Sequence, residues 1–288
     1  MPAQTEERTG ESQEPTEATS PPLFRIENLT VRYPGARSGD PGVVAVDDIS
    51  FDVSRSQFVS VVGPSGCGKS TMLAAMAGLL TGFQGTISIH GDEITGPHRD
   101  IGVVFQEEST FPWRSVQRNV EFGLEMRGVP KAERRQKATE ILEVVGLSDF
   151  AHRHPEQLSG GMKQRVAIAR TLVTQPDILL MDEPFGALDE QTRIMLGDEL
   201  IRIQRLLKQT VILITHNIQE AVLLSDRVIV MSARPGRIKA VVEIDLPKKR
   251  DSTLLSTERF GELVGKIWAV LREESLNAFA QQNNTKLE

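Results

Sequence analysis

An eight-residue segment, GPSGCGKS at positions 63–70, constrains this chain more than any other feature. It follows a β-branched run, residues 57–62, that predicts a strand buried on both faces, and it leads into the helix-forming stretch STMLAAMAGLL. Glycines let a backbone fold tightly around a phosphate so that several N–H groups point at its oxygens. The segment therefore predicts a phosphate-binding loop. A chance glycine-rich turn is the alternative, and the flanking strand and helix argue against it.

The residue types within this loop suit a nucleoside triphosphate. We expect Lys69 to reach the terminal phosphates and Ser70 to place its hydroxyl on Mg²⁺, while the following helix adds its positive dipole end. The same positive field should favour the thiolate of Cys67 and its reaction with alkylating reagents, from which bound ATP would protect it. The predicted ATP contacts in this segment are Gly63, Pro64, Ser65, Gly66, Cys67, Gly68, Lys69, Ser70 and Thr71.

Two carboxylates end a second apolar strand, ILLMDE at 178–183. In phosphate-loop enzymes such a strand lies beside the phosphate-loop strand, so Asp182 is expected to meet the Mg²⁺ shell. Glu183 is then placed to orient and deprotonate the water that attacks the γ-phosphate. His216, which follows the strand VILIT, can hydrogen-bond the γ-phosphate and position that water. In isolation these would be an exposed acidic pair and a structural histidine.

A second glycine-rich segment, LSGGM at 158–162, opens a predicted helix. Paired glycines at a helix start suit backbone capture of phosphate, and Ser159 adds a donor. Since one γ-phosphate does not need two cradles from one chain, we expect two chains to pair head to tail. Ser159 and Gly161 of one subunit would then face Lys69 of the other.

Taken in order, these segments make the chain resemble the ATPase subunit of an importer of the ATP-binding cassette (ABC) family, over residues from about 23 to 245. Residues 63–70 resemble its Walker A loop, Gln106 its Q-loop glutamine, LSGGM its signature, ILLMDEP its Walker B strand and residues 187–189 its D-loop. His216 matches the switch histidine. The resemblance implies the family's α/β fold: a P-loop NTPase core with a parallel sheet, an antiparallel β-subdomain and an inserted α-helical subdomain.

The resemblance also implies residue roles. Tyr33, the only tyrosine, lies where the family has an aromatic residue that stacks on adenine; taken alone it would be a strand-edge aromatic. Met162 stands where the family usually has Gln, so that side chain supplies no hydrogen bond. The implied catalytic residues are Glu183, His216 and Gln106, and the implied Mg²⁺ ligands are Ser70, Gln106 and Asp182. The implied contacts to the partner subunit's ATP are Ser159, Gly160, Gly161 and Asp189.

Two further segments, FPWRSVQRNV at 111–120 and MSARPGRI at 231–238, resemble the branch that serves nitrate, aliphatic sulfonates and taurine. The resemblance implies a homodimer bound to two integral-membrane permease subunits, and indirectly to an extracytoplasmic substrate-binding protein, at the cytoplasmic face of the cell membrane. Phe111, Pro112 and Trp113 are the expected apolar anchors for the permease. The alternative for residues 112–114 is an exposed loop that fills a local pocket.

Strand and helix patterns divide the chain into three parts. Residues 1–22, with five glutamates and little to bury, predict a disordered acidic tail. Residues 23–247 predict the ATPase domain, with its helical insert at about 107–175, and residues 248–288 a helical extension. We expect that extension to be an amphipathic helix over 260–271 with a polar tail, packed on the core; a regulatory or dimer-bracing role is the second interpretation. A hairpin is expected over 85–94 with Gly91 and Asp92 at its turn.

Composition and charge exclude several other classes. No apolar run approaches the roughly 18 residues that a spanning helix needs. With 33 Lys and Arg against 39 Asp and Glu, the net charge of −6 disfavours a nucleic-acid partner. The single cysteine, Cys67, allows neither an intrachain disulfide nor a Cys-clustered zinc site, and the first residues lack the pattern of a secretory signal, so a reducing cytoplasmic setting is expected.

Two rival functions remain on the same phosphate loop. A cassette ATPase that acts on DNA or ribosomes usually carries long coiled coils, zinc modules or a second cassette, and none is predicted here. A small-molecule kinase has no use for LSGGM or a D-loop, and hydrolysis of ATP without an acceptor would separate it from an ATPase.

Overall fold

The computed structural model describes residues 21–35, 42–106 and 109–284, with side chains to residue 276. Of the predicted acidic tail, residues 1–22, the first twenty lie outside the described residues. The described strands are β1 (Phe24–Tyr33), β2 (Val43–Val53), β3 (Phe58–Val62), β4 (Gln84–Ile89), β5 (Asp92–Glu93), β6 (Ile101–Val104), β7 (Ile178–Asp182), β8 (Thr210–Ile214), β9 (Arg227–Met231) and β10 (Ile238–Glu243).

These strands form two sheets. A four-stranded antiparallel sheet has the order β2-β1-β4-β5, and a six-stranded sheet has the order β10-β9-β3-β8-β7-β6. Strands β9, β3, β8, β7 and β6 run parallel, while β10 pairs antiparallel to β9 at one edge. The predicted parallel core and antiparallel subdomain are confirmed; β10 was not predicted.

Seven α-helices lie among the described residues, besides three short 3-10 helices: α1 (Lys69–Met76), α2 (Val116–Met126), α3 (Lys131–Val144), α4 (Gly160–Leu172), α5 (Glu190–Leu207), α6 (Ile218–Leu224) and α7 (Glu258–Asn284). Helices α2, α3 and α4 follow β6 and precede β7 along the chain, where the helical insert was expected. They pack on one another. None of the described helices combines the length and apolar content that a bilayer crossing requires.

Strand β3, which the phosphate-binding segment follows, lies inside the core, and all five of its residues are buried. Its side chains alternate between two faces of the sheet. Phe58 and Val62 pack in an apolar cluster with the helices α2 to α7, whereas Val59 and Val61 pack in a second cluster with α1 and the antiparallel sheet. The loop that follows β3 is therefore fixed by packing on both sides of the sheet.

Two local predictions were wrong. The hairpin turn is formed by His90 and Gly91, not by Gly91 and Asp92, because Ile89 pairs with Asp92 across the turn and both turn residues have positive φ. Helix α7 continues to Asn284, beyond the expected end at residue 271. Among the side chains described in this helix, to residue 276, the last buried apolar one is Leu271, and the buried carboxylate of Glu274 extends the packed face by accepting a hydrogen bond from the Ala233 N–H at 2.9 Å.

Candidate nucleotide-binding and catalytic site

The loop of residues 63–68 joins β3 to α1 and folds around the side chain of Lys69. The Lys69 ammonium donates hydrogen bonds to the carbonyls of Gly63 at 2.9 Å and Pro64 at 3.1 Å, and the residue is only 7% exposed. Gly68 has a φ of 103°, and a Cβ there would lie 2.5 Å from the Ala45 carbonyl oxygen, so only glycine fits. The loop thus holds a cation at its centre, bonded to two of the loop's own carbonyls.

An open cleft of about 530 Å³ lies over this loop. Its wall includes Ser65, Gly66, Lys69 and Ser70 of the phosphate-binding segment and, from elsewhere in the chain, Tyr33 and Glu183. Tyr33 is 43% exposed, and its hydroxyl lies 3.3 Å from Thr71 Oγ1. The structure therefore brings the predicted aromatic residue and the predicted base to the same cleft as the loop.

Asp182 and Ser70 meet at the end of β7. The Ser70 hydroxyl donates to Asp182 Oδ1 at 3.4 Å. Burial raises the pKa of the Asp182 carboxyl, and the hydrogen bond from Ser70 partly opposes that rise. Gln106 follows β6, and a side chain placed on Gly186 would come within 3.8 Å of its Nε2 atom. A hydroxyl, a carboxylate and an amide oxygen are ligand types that Mg²⁺ accepts. The donor types of Ser70, Asp182 and Gln106 therefore fit the ion, and the first two are in contact.

Glu183 turns away from the strand direction directly after β7. Its φ is 43°, an uncommon value for a residue other than glycine, and its N–H donates to the Ile214 carbonyl at 2.9 Å. Its Oε2 lies 3.0 Å from Nδ1 of His216. The carboxylate thus faces the cleft with an imidazole beside it, as a base and its orienting partner require.

Sequence reasoning missed the polar contacts among the residues that flank His216. The hydroxyl of Thr215 donates a short hydrogen bond to Glu220, and accepts one from the Asn217 N–H at 3.0 Å. Asn217 also caps α6 through the Glu220 N–H at 3.1 Å. Burial raises the pKa of Glu220. The spacing of Asn217 and Glu220 is that of a capping box, and this was the available signal.

The LSGGM segment and Asp189 come together in a different place. Ser159 caps α4 by accepting from the Met162 N–H at 3.3 Å. A Cβ on Gly161 would lie 3.0 Å from the Thr192 methyl carbon, and Asp189 caps α5 by accepting from the Thr192 N–H at 2.9 Å. The Thr192 hydroxyl also donates to Asp189, and the two hydrogen bonds from Thr192 lower the pKa of the Asp189 carboxyl. Among the described residues that line the Lys69 cleft, none belongs to 158–162.

Cys67 contradicts the expected reactive thiolate. The residue is 1% exposed, and its side chain packs in the apolar cluster beneath the loop with Met231. Burial raises the pKa of the thiol, and this effect exceeds the opposing influence of Lys69. The helix start does create a positive field, but the side chain lies on the core side of the loop and is removed from water.

The loop that precedes α2 presents the predicted apolar anchors. Trp113 is 73% exposed, and its ring centroid lies 5.6 Å from that of half-buried Phe111. Fully buried Asn119 fixes this loop: its Oδ1 accepts from the Phe111 N–H at 2.7 Å and its Nδ2 donates to the Arg114 carbonyl at 3.0 Å. Arg170 of α4 stacks over the Phe111 ring at 5.1 Å. The loop is thus an ordered surface with an exposed indole.

Comparison with known proteins agrees with this geometry. The family model described as "ABC transporter" matches residues 46–186. A nitrate import ATP-binding protein of Synechocystis is 50% identical over 224 residues, which are 78% of this chain and 83% of that protein. A taurine import ATP-binding protein of Rhizobium johnstonii is 47% identical over 254 residues, 86% of this chain and 96% of that protein.

A solved structure extends the similarity to the fold. A dimeric ATP-binding cassette in a post-hydrolysis state, bound to ADP and Pi, has a TM-score of 0.67 and 32% sequence identity to this chain. The match covers 78% of this chain and all of that one, 100%. The expected α/β cassette fold is confirmed, and the chain belongs to the family of ABC transporter ATP-binding proteins.

Proposed function

We propose that this chain is the ATP-hydrolysing subunit of an importer for a small anionic solute such as taurine, an aliphatic sulfonate or nitrate. The observation that carries the proposal is the pairing of Glu183 with His216 at 3.0 Å beside the cleft that contains Lys69. The names of the taurine and nitrate import relatives support the importer and the solute class.

In this mechanism the residues of one chain bind ATP and prepare a water molecule. Tyr33 stacks on the adenine, and the backbone N–H groups of residues 63–71 other than Pro64, with the Lys69 ammonium, hold the phosphates. Glu183 accepts a proton from the attacking water, while His216 orients Glu183 and contacts the γ-phosphate. Ser70, Asp182 and Gln106 would hold Mg²⁺, which supplies charge neutralisation of the phosphates when bound.

The second half of each site comes from another copy of the chain. Ser159, Gly160, Gly161 and Asp189 contact the ATP held by the partner, since they lie away from the cleft of their own chain. ATP held from both sides shifts the pair toward a closed dimer, and hydrolysis removes the contact that favours closure. The dimeric cassette with ADP and Pi supports this arrangement.

The transport path lies in other subunits. Two integral-membrane permease subunits would dock on the loop of Phe111, Pro112 and Trp113, which places the chain at the cytoplasmic face of the membrane. An extracytoplasmic binding protein would deliver the solute to the permease. An exposed indole beside apolar residues, on a loop fixed by Asn119, is the type of anchor that interfaces use.

The test combines acceptor-free ATP hydrolysis with transport. The wild-type chain should hydrolyse MgATP alone, and Glu183→Gln should bind ATP with little change while hydrolysis falls by at least about a hundredfold. Reconstituted in vesicles with the permease subunits that co-purify with it and with the substrate-binding protein, the wild-type chain should drive uptake of radiolabelled taurine or nitrate, and Glu183→Gln should not. Hydrolysis that requires an acceptor, or that survives in Glu183→Gln, would overturn the proposal.

A further inference from the structure

Arg234 enters the nucleotide cleft from a part of the chain that the predicted ATP contacts do not include. It follows β9, within the segment MSARPGRI, and lines the cleft beside Gly66. Its Nε and Nη2 atoms donate to the Gly66 carbonyl at 3.2 and 3.1 Å. A guanidinium carries five donors, so Nη1 offers two more that Gly66 does not engage. The side chain therefore places a second cation over the phosphate-binding loop, in addition to Lys69.

The turn that carries Arg234 is built onto the phosphate loop. The N–H of Gly236 donates to the Ala45 carbonyl at 3.0 Å, and its carbonyl accepts from the Asp47 N–H at 2.9 Å. A Cβ on Gly236 would lie 2.1 Å from the Cys67 carbonyl oxygen, so only glycine allows this approach. The turn thus contacts β2 and the phosphate loop together, and the position of Arg234 relative to the loop is fixed.

Helix α7 also contacts the turn that carries Arg234, through Glu274. Glu274 is 4% exposed; its Oε2 accepts from the Ala233 N–H at 2.9 Å, and its Oε1 lies 2.9 Å from the Lys239 ammonium. Ala233 directly precedes Arg234. A buried carboxylate that holds both a backbone N–H and a lysine is costly to remove, because each partner loses its bond. The C-terminal helix is therefore joined to the nucleotide cleft through one residue.

From these contacts we infer that Arg234 binds the phosphate chain of ATP and that Glu274 is the positioning residue that aims it. The inference rests on the proposed function, because the ligand of the cleft is taken to be ATP. Arginine suits this task, since its planar fork of donors matches phosphate oxygens and its charge persists at any working pH. It also gives the C-terminal helix a part in nucleotide binding.

The test of Arg234 is equilibrium binding of ATP, ADP and adenosine to the full chain, measured by calorimetry in a Glu183→Gln background that prevents turnover. Arg234→Gln should weaken ATP and ADP binding about tenfold, the loss expected of one charge-assisted contact, and leave adenosine binding unchanged. Arg234→Lys, which keeps the charge but not the fork of donors, should bind ATP more tightly than Arg234→Gln and less tightly than the parent. The loss in Arg234→Gln should shrink at high salt, because salt screens an exposed charge.

Arg237→Gln is the matched control, since Arg237 lies on the same turn, pairs with Asp47 and is not among the described residues of the cleft wall. It should bind ATP like the parent. Equal affinities for Arg234→Lys and Arg234→Gln would show that Arg234 only supports Gly66, and would overturn the inference. Absence of ATP binding in the parent and the control alike would overturn the proposed function, and the inference with it.

The part played by Glu274 is tested by a double-mutant cycle. Glu274→Ala should weaken ATP binding about fivefold in the parent and much less in the Arg234→Gln chain, because the two residues act through one contact. Glu273→Gln, on the exposed neighbour, should change nothing. Thermal unfolding identifies a variant that fails to fold, and Glu274→Met, which fills the same buried space but offers the Ala233 N–H no acceptor, then replaces Glu274→Ala with the same expected loss. Equal losses in both backgrounds would contradict the positioning role.

Discussion

Nδ1 of His216 and Oε2 of Glu183 lie 3.0 Å apart although 33 residues separate them in the chain. The contact follows from the sheet: β7 and β8 are parallel neighbours, and Asp182 pairs with Ile214 at their carboxyl ends. The chain segments that leave these two strands must emerge side by side, as they do where α/β sheets bind ligands. One carboxylate and one imidazole are thus held together at the edge of the cleft.

This contact predicts that His216 and Glu183 act as a unit. His216→Ala should lower the rate constant of ATP hydrolysis by about a hundredfold, because the base loses its orienting partner, while the ATP dissociation constant changes little. Adding Glu183→Gln should lower the rate hardly further, since residues of one unit are not additive. Steady-state hydrolysis and calorimetry measure both quantities. His152→Ala, at an exposed histidine, is the control, and fully additive losses would contradict the pairing.

Asn119 should be required for a stable permease-docking loop. Asn119→Ala leaves the N–H of Phe111 and three backbone carbonyls without their buried side-chain partner, so the free energy of unfolding should fall by about 2–4 kcal/mol. Hydrolysis by the isolated chain should persist, whereas ATPase stimulation by the permease should be lost. Gln136→Ala, on the exposed face of α3, should change neither. A variant that docks normally despite the lost stability would show that the loop is not the docking surface.

Cys67 should be slow to react in the folded chain. Its buried thiol, with a raised pKa, is mostly protonated at neutral pH, so maleimide labelling should be much slower than labelling of the urea-unfolded chain. Because the folded-state pKa lies above that of the unfolded chain, Cys67 should reduce stability as pH rises past about 8.5. Intact-mass spectrometry counts the single adduct. Rapid labelling at neutral pH that MgATP prevents would restore the reactive thiolate that the loop alone suggests.

The sequence predicts the strand and helix order and the site residues that follow strand ends, because these depend on periodicity and local motifs. It places Lys69, Asp182 and Glu183 correctly at their strand and helix boundaries. It does not place Cys67, because the motif fixes where the backbone turns but not which side of the loop a side chain occupies. That side is decided by packing against residues such as Met231, far along the chain.

Long-range polar contacts are the other feature that the sequence did not reveal. Helix α7 continues past Leu271, and there its Glu274 bonds to Ala233, 41 residues earlier. Arg234 reaches Gly66 across 168 positions. Neither pair of residues belongs to a periodic pattern or a short motif from which the contact could be predicted. Such pairs become visible only when the folded chain brings their elements together.

The composite site is the central claim, and mixing two inactive variants tests it most directly. Ser159→Arg should bind ATP but not hydrolyse it, because the signature segment acts on the nucleotide that the partner binds. Lys69→Ala should fail to bind ATP in its own phosphate-binding loop. Each mixed dimer has one intact site and one with both defects. When the two variants are mixed in equal amounts, random assembly makes half of the dimers mixed. Since one of the two sites in each mixed dimer is intact, about a quarter of the wild-type hydrolysis rate should return. No recovery, with heterodimers confirmed by differential tagging, would contradict the account.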